Sequence, residues 1–411
     1  MTKESRVLAT RRADFPSLQR RYNDLPVAFF DGPAGTQVPR RVIDAVAGYY
    51  ASSNANTHGA FMTSRETDQT LEEARATVAE FLGAGSPATI SFGANMTSLT
   101  YALSHALGRS LRPGDEVLIT QLDHEANRGP WLMLRERGVV VREVRIRPDA
   151  TVDEDDLRSK ITERTRLLAM GMASNAFGTV NNVTLARGLT RDAGSLLLLD
   201  AVHYAPHFAI DVDVLGVDFL LCSAYKFYGP HVGILYAREG LLEAFETDRL
   251  RTQDPRAPHR IETGTLNHAA IVGVRAAIDY LASLGTGATL RTQIISAMKT
   301  IGRHERRIAA KLHAELGAVK GLTLWGPPFT DAPRSPTLAF TLADRNASEV
   351  AASLAERAIC TWDGHFYAIR PVELLGLLER GGVVRAGVSL YTSEEEAERL
   401  TQEVRRIAVT P

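Results

Sequence analysis

Five short apolar runs between residues 116 and 222 constrain the chain more than any other feature: EVLIT (116–120), VVVREV (139–144), RLLAM (166–170), SLLLLD (195–200) and FLLC (219–222). Each has the length of a strand and is apolar enough to be buried on both faces. Between them, stretches such as 130–137 and 185–193 read as helices. Strands and helices alternating in this way build an α/β domain around a largely parallel sheet. A further helix is expected over 70–82, where Leu71, Ala74, Val78, Phe81 and Leu82 share one face and Gly83 ends it.

Downstream the pattern changes. Helical periodicity covers 269–284 and 290–316, and a stretch containing proline and glycine follows at 326–336. Beyond it, 337–341 and 385–391 read as strands and 347–356 as a helix, while Ser393 and Glu396 have the spacing of a capping box that opens the last helix. The expected organisation is an N-terminal segment (1–30), a large domain (31–285) and a small α+β domain (286–411). A formal net charge of -1 leaves no basic footprint for nucleic acid. No apolar run has membrane-spanning length, and the polar, charged start does not read as a secretory signal. The two cysteines, Cys222 and Cys360, suit a reducing, cytoplasmic setting rather than a disulfide framework. His203 and His207 have the spacing of a metal pair, but Pro206 between them argues against the helix it needs, so no metal is expected. GAGSPA (83–88) has a loose nucleotide-binding spacing, yet it follows a helix rather than a strand and carries no dinucleotide site.

The chemistry centres on Lys226 in SAYKFYGP (223–230), just past a buried strand. Burial disfavours an ammonium, and a neutral amine attacks an aldehyde to form an imine. Alone, Lys226 reads better as a surface lysine in a loop. Asp200 ends the run 196–199, so its carboxylate stands at the carboxyl end of a central strand, where open α/β sheets bind ligands. There it can hold a pyridinium nitrogen or merely cap a turn. The segment SFGANMT (91–97) leads into a helix over 98–107, a place for a phosphate, with Asn95 and Thr97 as added donors, or a simple helix cap. His124 follows the strand 116–120 and can stack on a flat ring and move protons. Arg385 opens a strand of the small domain and offers a guanidinium to a carboxylate, or to an ion pair between domains.

With these residues in view, the chain resembles the class V aminotransferases among fold-type I enzymes dependent on pyridoxal 5′-phosphate (PLP), and most of all their cysteine desulfurase-like branch. The matching motifs are FDGPAGTQVP (30–39), SFGANMTSL (91–99), DHEAN (123–127), SNAFGT (174–179), DAVHYAPH (200–207), CSAYKFYGP (222–230), ETGTLNH (262–268) and VRAGVSLY (384–391). The resemblance implies a fold-type I large domain with a mainly parallel seven-stranded sheet and a small α+β C-terminal domain. It implies a Schiff base between Lys226 and PLP, Asp200 on the pyridine nitrogen and His124 on the ring face. His203 stands where many relatives carry glutamine near the cofactor's phenolic oxygen. Ala94, Asn95, Ser223 and Tyr225 would hold the phosphate, and Thr265 would reach it from a neighbouring subunit, which implies a homodimer. Asn175 and Arg385 would bind the substrate carboxylate. Asn175 would also lie beside the cofactor.

One departure stands out. Desulfurases carry a nucleophilic cysteine in a small-domain loop of the form Gly-His-His-Cys, and here the stretch is Gly364-His365-Phe366-Tyr367. A phenol cannot take up sulfane sulfur. The expected activity is therefore a carbon–sulfur β-lyase that converts an S-substituted L-cysteine to thiol, pyruvate and ammonia, as in look-alikes from antibiotic biosynthesis. Aminotransfer, decarboxylating oxidative deamination and epimerisation remain open. Lys226 is the expected base at Cα. His365 and Tyr367, within 365–370, and the stretch 56–61 are expected to line the substrate pocket.

Overall fold

The computed structural model describes residues 8–330 and 332–409. Seven strands form its main sheet: β1 (Ile90–Gly93), β2 (Glu116–Thr120), β3 (Val140–Val144), β4 (Thr165–Gly171), β5 (Leu196–Asp200), β6 (Phe219–Ser223) and β7 (Gly233–Ala237). Their order is β1-β7-β6-β5-β4-β2-β3, with β7 antiparallel to both neighbours and the other pairs parallel. Only β7 runs backwards, so the other six strands end at the same edge. Successive side chains of a strand face opposite sides. Leu118 accordingly joins one apolar cluster while Val117 and Ile119 join another on the far face. Both faces are covered, which explains why these runs read as continuous apolar stretches rather than alternating ones.

The helices that matter for the site are α1 (Arg40–Ser52), α2 (Met62–Leu82), α3 (Met96–Ser110), α4 (Val183–Asp192), α5 (His268–Ala282) and α6 (Leu290–Gly317). Helix α2 starts eight residues before its expected beginning at Thr70. Its first half, MTSRETDQ, has few apolar residues, so periodicity is silent there. The helix expected over 130–137 is instead a short turn of α-helix at Gly129–Leu132 continued by a 3-10 segment at Met133–Arg137.

The small sheet has strands β8 (Leu322–Trp325), β9 (Thr337–Leu342), β10 (Trp362–Gly364) and β11 (Val383–Gly387), ordered β8-β9-β11-β10 and antiparallel throughout. The strand expected over 385–391 ends at Gly387, because Val388 and Gly387 bond to Pro336 and Phe30 outside the ladder. Helices α7 (Ala347–Ala355) and α8 (Glu394–Val409) pack on it. Ser393 and Glu396 do exchange capping bonds, Ser393 N to Glu396 Oε2 at 2.8 Å and Glu396 N to Ser393 Oγ at 3.2 Å. Two connections tie the sheets together. Ala28–Phe29 pairs in parallel with Ile359–Cys360, and Ala28 and Phe30 enter the small cluster. Helix α6 buries Ile294, Met298 and Ile301 in the large core and Ile308, Leu312 and Leu316 in the small one. No helix among the described residues is long and apolar enough to cross a membrane.

Candidate active site

The parallel strands deliver the candidate side chains to one edge. His124 follows β2, Asn175 follows β4, Asp200 ends β5 with His203 in the next turn, and Ser223 ends β6. A single 3-10 turn, Ala224–Lys226, then carries Tyr225 and Lys226. On the adjoining side, Asn95 caps α3 by accepting from Ser98 N at 2.9 Å, and Met96 N donates to Ser223 Oγ at 3.0 Å. This close approach needs Gly233 on β7, since a Cβ there would lie 2.3 Å from the Asn95 backbone. The resulting cavity encloses about 610 Å³, part of it open to solvent. Asn95, His124, Asn175, Asp200, His203, Ser223, Tyr225 and Lys226 all line it.

Lys226 is buried, and its amine donates to the Pro33 carbonyl. Burial pulls its pKa down to about 7, the Arg385 cation adds to the effect and the Asp200 carboxylate opposes it. Burial likewise lifts Asp200 to about 6, against the Val202 amide and Lys226. Val202 N donates to Asp200 Oδ1 at 2.9 Å, which fixes the carboxylate's rotamer. His124 Nδ1 accepts from Ala126 N at 3.0 Å, so the proton of the neutral ring sits on Nε2. Burial, then Lys226 and Arg385, hold that ring neutral by drawing its pKa to about 4. His203 Nε2 meets Thr337 Oγ1 at 2.9 Å, while its Nδ1 is buried with no partner. Burial above all keeps this imidazole well below its ordinary pKa.

Arg385 stands beside the cavity rather than in its lining. Its Nη1 donates to Asn175 O at 3.0 Å, its Nε is buried without a partner, and its guanidinium carbon lies 4.0 Å above the Phe366 ring. Burial lowers its pKa to about 9, although the Asp31 carboxylate works the other way. Tyr367 is exposed at the rim, its ring 5.6 Å from that of His124 and 6.4 Å from that of His365. Chemically this set fits PLP: an amine for an aldehyde, a carboxylate for a ring nitrogen, an imidazole beside a flat ring and a helix start for a phosphate.

Some expected residues lie elsewhere. Ala94 and Thr265 are exposed and line a different groove, together with His231 and Asn267. Residues 56–61, expected at the substrate pocket, do not line the cavity, because they lead into α2. His365 does not line it either. Three contributors escaped the sequence reading as site residues. Asp123 lines the cavity and accepts from Gly171 N at 2.6 Å and Thr120 N at 3.1 Å. Pro33 presents its carbonyl to Lys226, and Thr337 of β9 holds His203. The first two belong to quoted motifs, but only the fold shows that Asp123 lines the cavity and that the Pro33 carbonyl meets Lys226. Among the described residues no group of histidine, cysteine and carboxylate side chains is arranged to hold a metal.

Comparison with known proteins agrees with this geometry. Residues 28–400 match the family described as "Aminotransferase class-V". A cysteine desulfurase of Salmonella agona (strain SL483) is 34% identical over 412 aligned residues, spanning 96% of this chain and 97% of that protein. The apo structure of cysteine desulfurase from Thermococcus onnurineus NA1 is similar with a TM-score of 0.86 and 26% identity over 97% of both chains. The crystal structure of the Escherichia coli cysteine desulfurase CsdA (S-sulfonic acid) gives a TM-score of 0.82 and 28% identity over 97% of this chain and 98% of that one. A buried lysine at the strand ends of a seven-stranded α/β sheet and a family match spanning nearly the whole chain converge: the chain belongs to the class V aminotransferase family, is homologous to cysteine desulfurases and is a PLP-dependent enzyme.

Proposed function

We propose that this enzyme is a carbon–sulfur β-lyase that cleaves an S-substituted L-cysteine to a thiol, pyruvate and ammonia. The observation that carries the proposal is the position of the two thiols. Cys222 is fully buried in β6, and burial pushes its pKa far up. Cys360 pairs with the Phe29 strand, and burial, reinforced by Asp31, raises it to about 11. Neither lines the cavity, and the loop that faces His124 offers Tyr367. Cleavage of a carbon–sulfur bond, as the relatives' name describes, is then left without a cysteine to receive the sulfur. A lyase releases it with the substrate's own substituent.

PLP, when bound, supplies the electron sink that stabilises negative charge at the substrate Cα. The chain's residues supply the rest. Lys226 carries the cofactor and then, with a pKa near 7, takes the Cα proton. Asp200 holds the proton on the ring nitrogen, and His124, neutral at working pH, packs against the ring. Asn95, Ser223 and Tyr225, beside the start of α3, would hold the cofactor's phosphate, and His203 would contact its phenolic oxygen. Arg385 and Asn175 hold the substrate carboxylate; the partnerless Nε of Arg385 supports that role. Tyr367, beside His124 at the rim, borders the substituent. We also propose a homodimer in which Thr265, exposed in its separate groove, serves the phosphate site across the interface.

Incubation with a panel of S-alkyl and S-aryl cysteines tests the activity. The expected products are pyruvate and free thiol in equal amounts, without an added keto acid. Product only when a keto acid is supplied would instead establish an aminotransferase.

A further inference from the structure

The strap Gly364–Tyr367 is bound to both residues assigned above to the substrate carboxylate. Phe366 and Tyr367 follow each other in left-handed backbone, with φ of 53° and 57°. Residues with side chains adopt that conformation only where their surroundings impose it. Here the surroundings are specific. Asn175 Nδ2 donates to the Phe366 carbonyl at 2.9 Å, and Glu125 N donates to the Tyr367 carbonyl at 2.7 Å. Ala368 N closes the turn on His365 O at 2.7 Å. These bonds aim the Phe366 ring at the guanidinium of Arg385, 4.0 Å away, while Arg385 Nη1 donates to Asn175 O at 3.0 Å. Phe366, Asn175 and Arg385 thus close a ring of three contacts.

The strand carrying Arg385 supplies no carboxylate partner for it, and although the Asp31 charge acts on it, among the described residues no carboxylate comes within ion-pair distance of its guanidinium. A buried guanidinium with a partnerless Nε needs something other than a counter-ion to hold its plane. An aromatic face does this: it attracts the cation and fixes the orientation of its N–H fork without consuming a donor. We infer that Phe366 is a positioning residue, a platform that keeps Arg385 flat and aimed so that its free donors meet a substrate carboxylate two at a time. Leucine would fill the same space without attracting the cation. Tyrosine would keep the face. Because Asn175 holds the Phe366 carbonyl, movement of the strap moves the platform and the second carboxylate ligand together.

This inference rests on the assignment of Asn175 and Arg385 to the carboxylate, and the test separates the two. Holoenzyme is titrated with L-alanine and with ethylamine, which lacks the carboxylate, and binding is followed by the cofactor's absorbance and by calorimetry. Wild-type enzyme is expected to favour L-alanine. F366L should weaken L-alanine by roughly fivefold to tenfold and leave ethylamine unchanged, the size expected of a desolvated cation–aromatic contact. F366Y should bind L-alanine within about twofold of wild type. In an R385K background, F366L should have little further effect, since Phe366 acts through the guanidinium. If wild type does not prefer L-alanine, the carboxylate assignment itself falls. If wild type prefers it and F366L keeps that preference, or loses both ligands equally, the platform is refuted. F366Y and the melting temperature of each holoenzyme show whether a loss reflects folding.

Discussion

Lys226 couples the chemistry of the site to the stability of the fold. Burial takes its pKa from 10.5 to about 7, so between these values the unfolded chain binds a proton that the folded chain does not. Stability therefore rises with pH across this window, and below it the folded state must bury a charged amine. In cofactor-free protein, the stability gap between wild type and Lys226→Met should shift toward wild type from pH 7 to pH 10, as measured by urea midpoints. A pH-independent gap would mean that the amine is not desolvated in solution. Asp200, read from sequence as either a cofactor ligand or a turn cap, bonds to the Val202 amide and also lines the cavity, so the turn-capping bond leaves it in place for the proposed cofactor role. Phe366 was legible only as a neighbour of Tyr367. Its contact with Arg385 depends on two positive φ angles, which no composition or spacing announces.

At the level of elements, the buried runs were readable because a parallel sheet covered on both faces leaves no polar alternation to confuse them. Two adjacent strands at one end of that sheet, β1 and β7, were not. β1 is only four residues long, and β7 runs against both its neighbours, so neither follows the strand–helix rhythm. The segment after β7 is anchored by Glu262. Its carboxylate accepts from Arg75 at 2.7 Å and from Phe92 N at 2.7 Å, and it contacts His259 Nδ1 at 3.1 Å. Arg75 and Glu262 are both buried. Removing one member of a buried pair strands the other, so Glu262→Ala should cost about 3 kcal/mol or more in denaturant unfolding. Arg75→Met with Glu262→Leu together should cost less than the two changes summed, because neither charge is then left alone.

Across the whole molecule, the proposed division into a large domain (31–285) and a small domain (286–411) has two bridges. Helix α6 shares its apolar face between both cores, and the strand at Ala28–Phe29 stitches the N-terminal segment to the small one. Such bridges carry no punctuation in the sequence, because a helix that crosses from one core to the next keeps a single period. The proposed division of labour between subunits is equally invisible in one chain: Thr265 looks out from a groove that shares no lining residue with the Lys226 cavity. That separation has a genetic consequence. If each site draws Lys226 from one subunit and Thr265 from the other, two defective alleles can complement each other. A hybrid of Lys226→Ala with Thr265→Glu places both lesions in one site and leaves the other site wild type. Random pairing at equal dose should thus restore about a quarter of the sites in a mixture whose parents are each inactive. Co-expression followed by activity assay reads this directly, and a mixture no better than the average of its parents would mean that each subunit works alone.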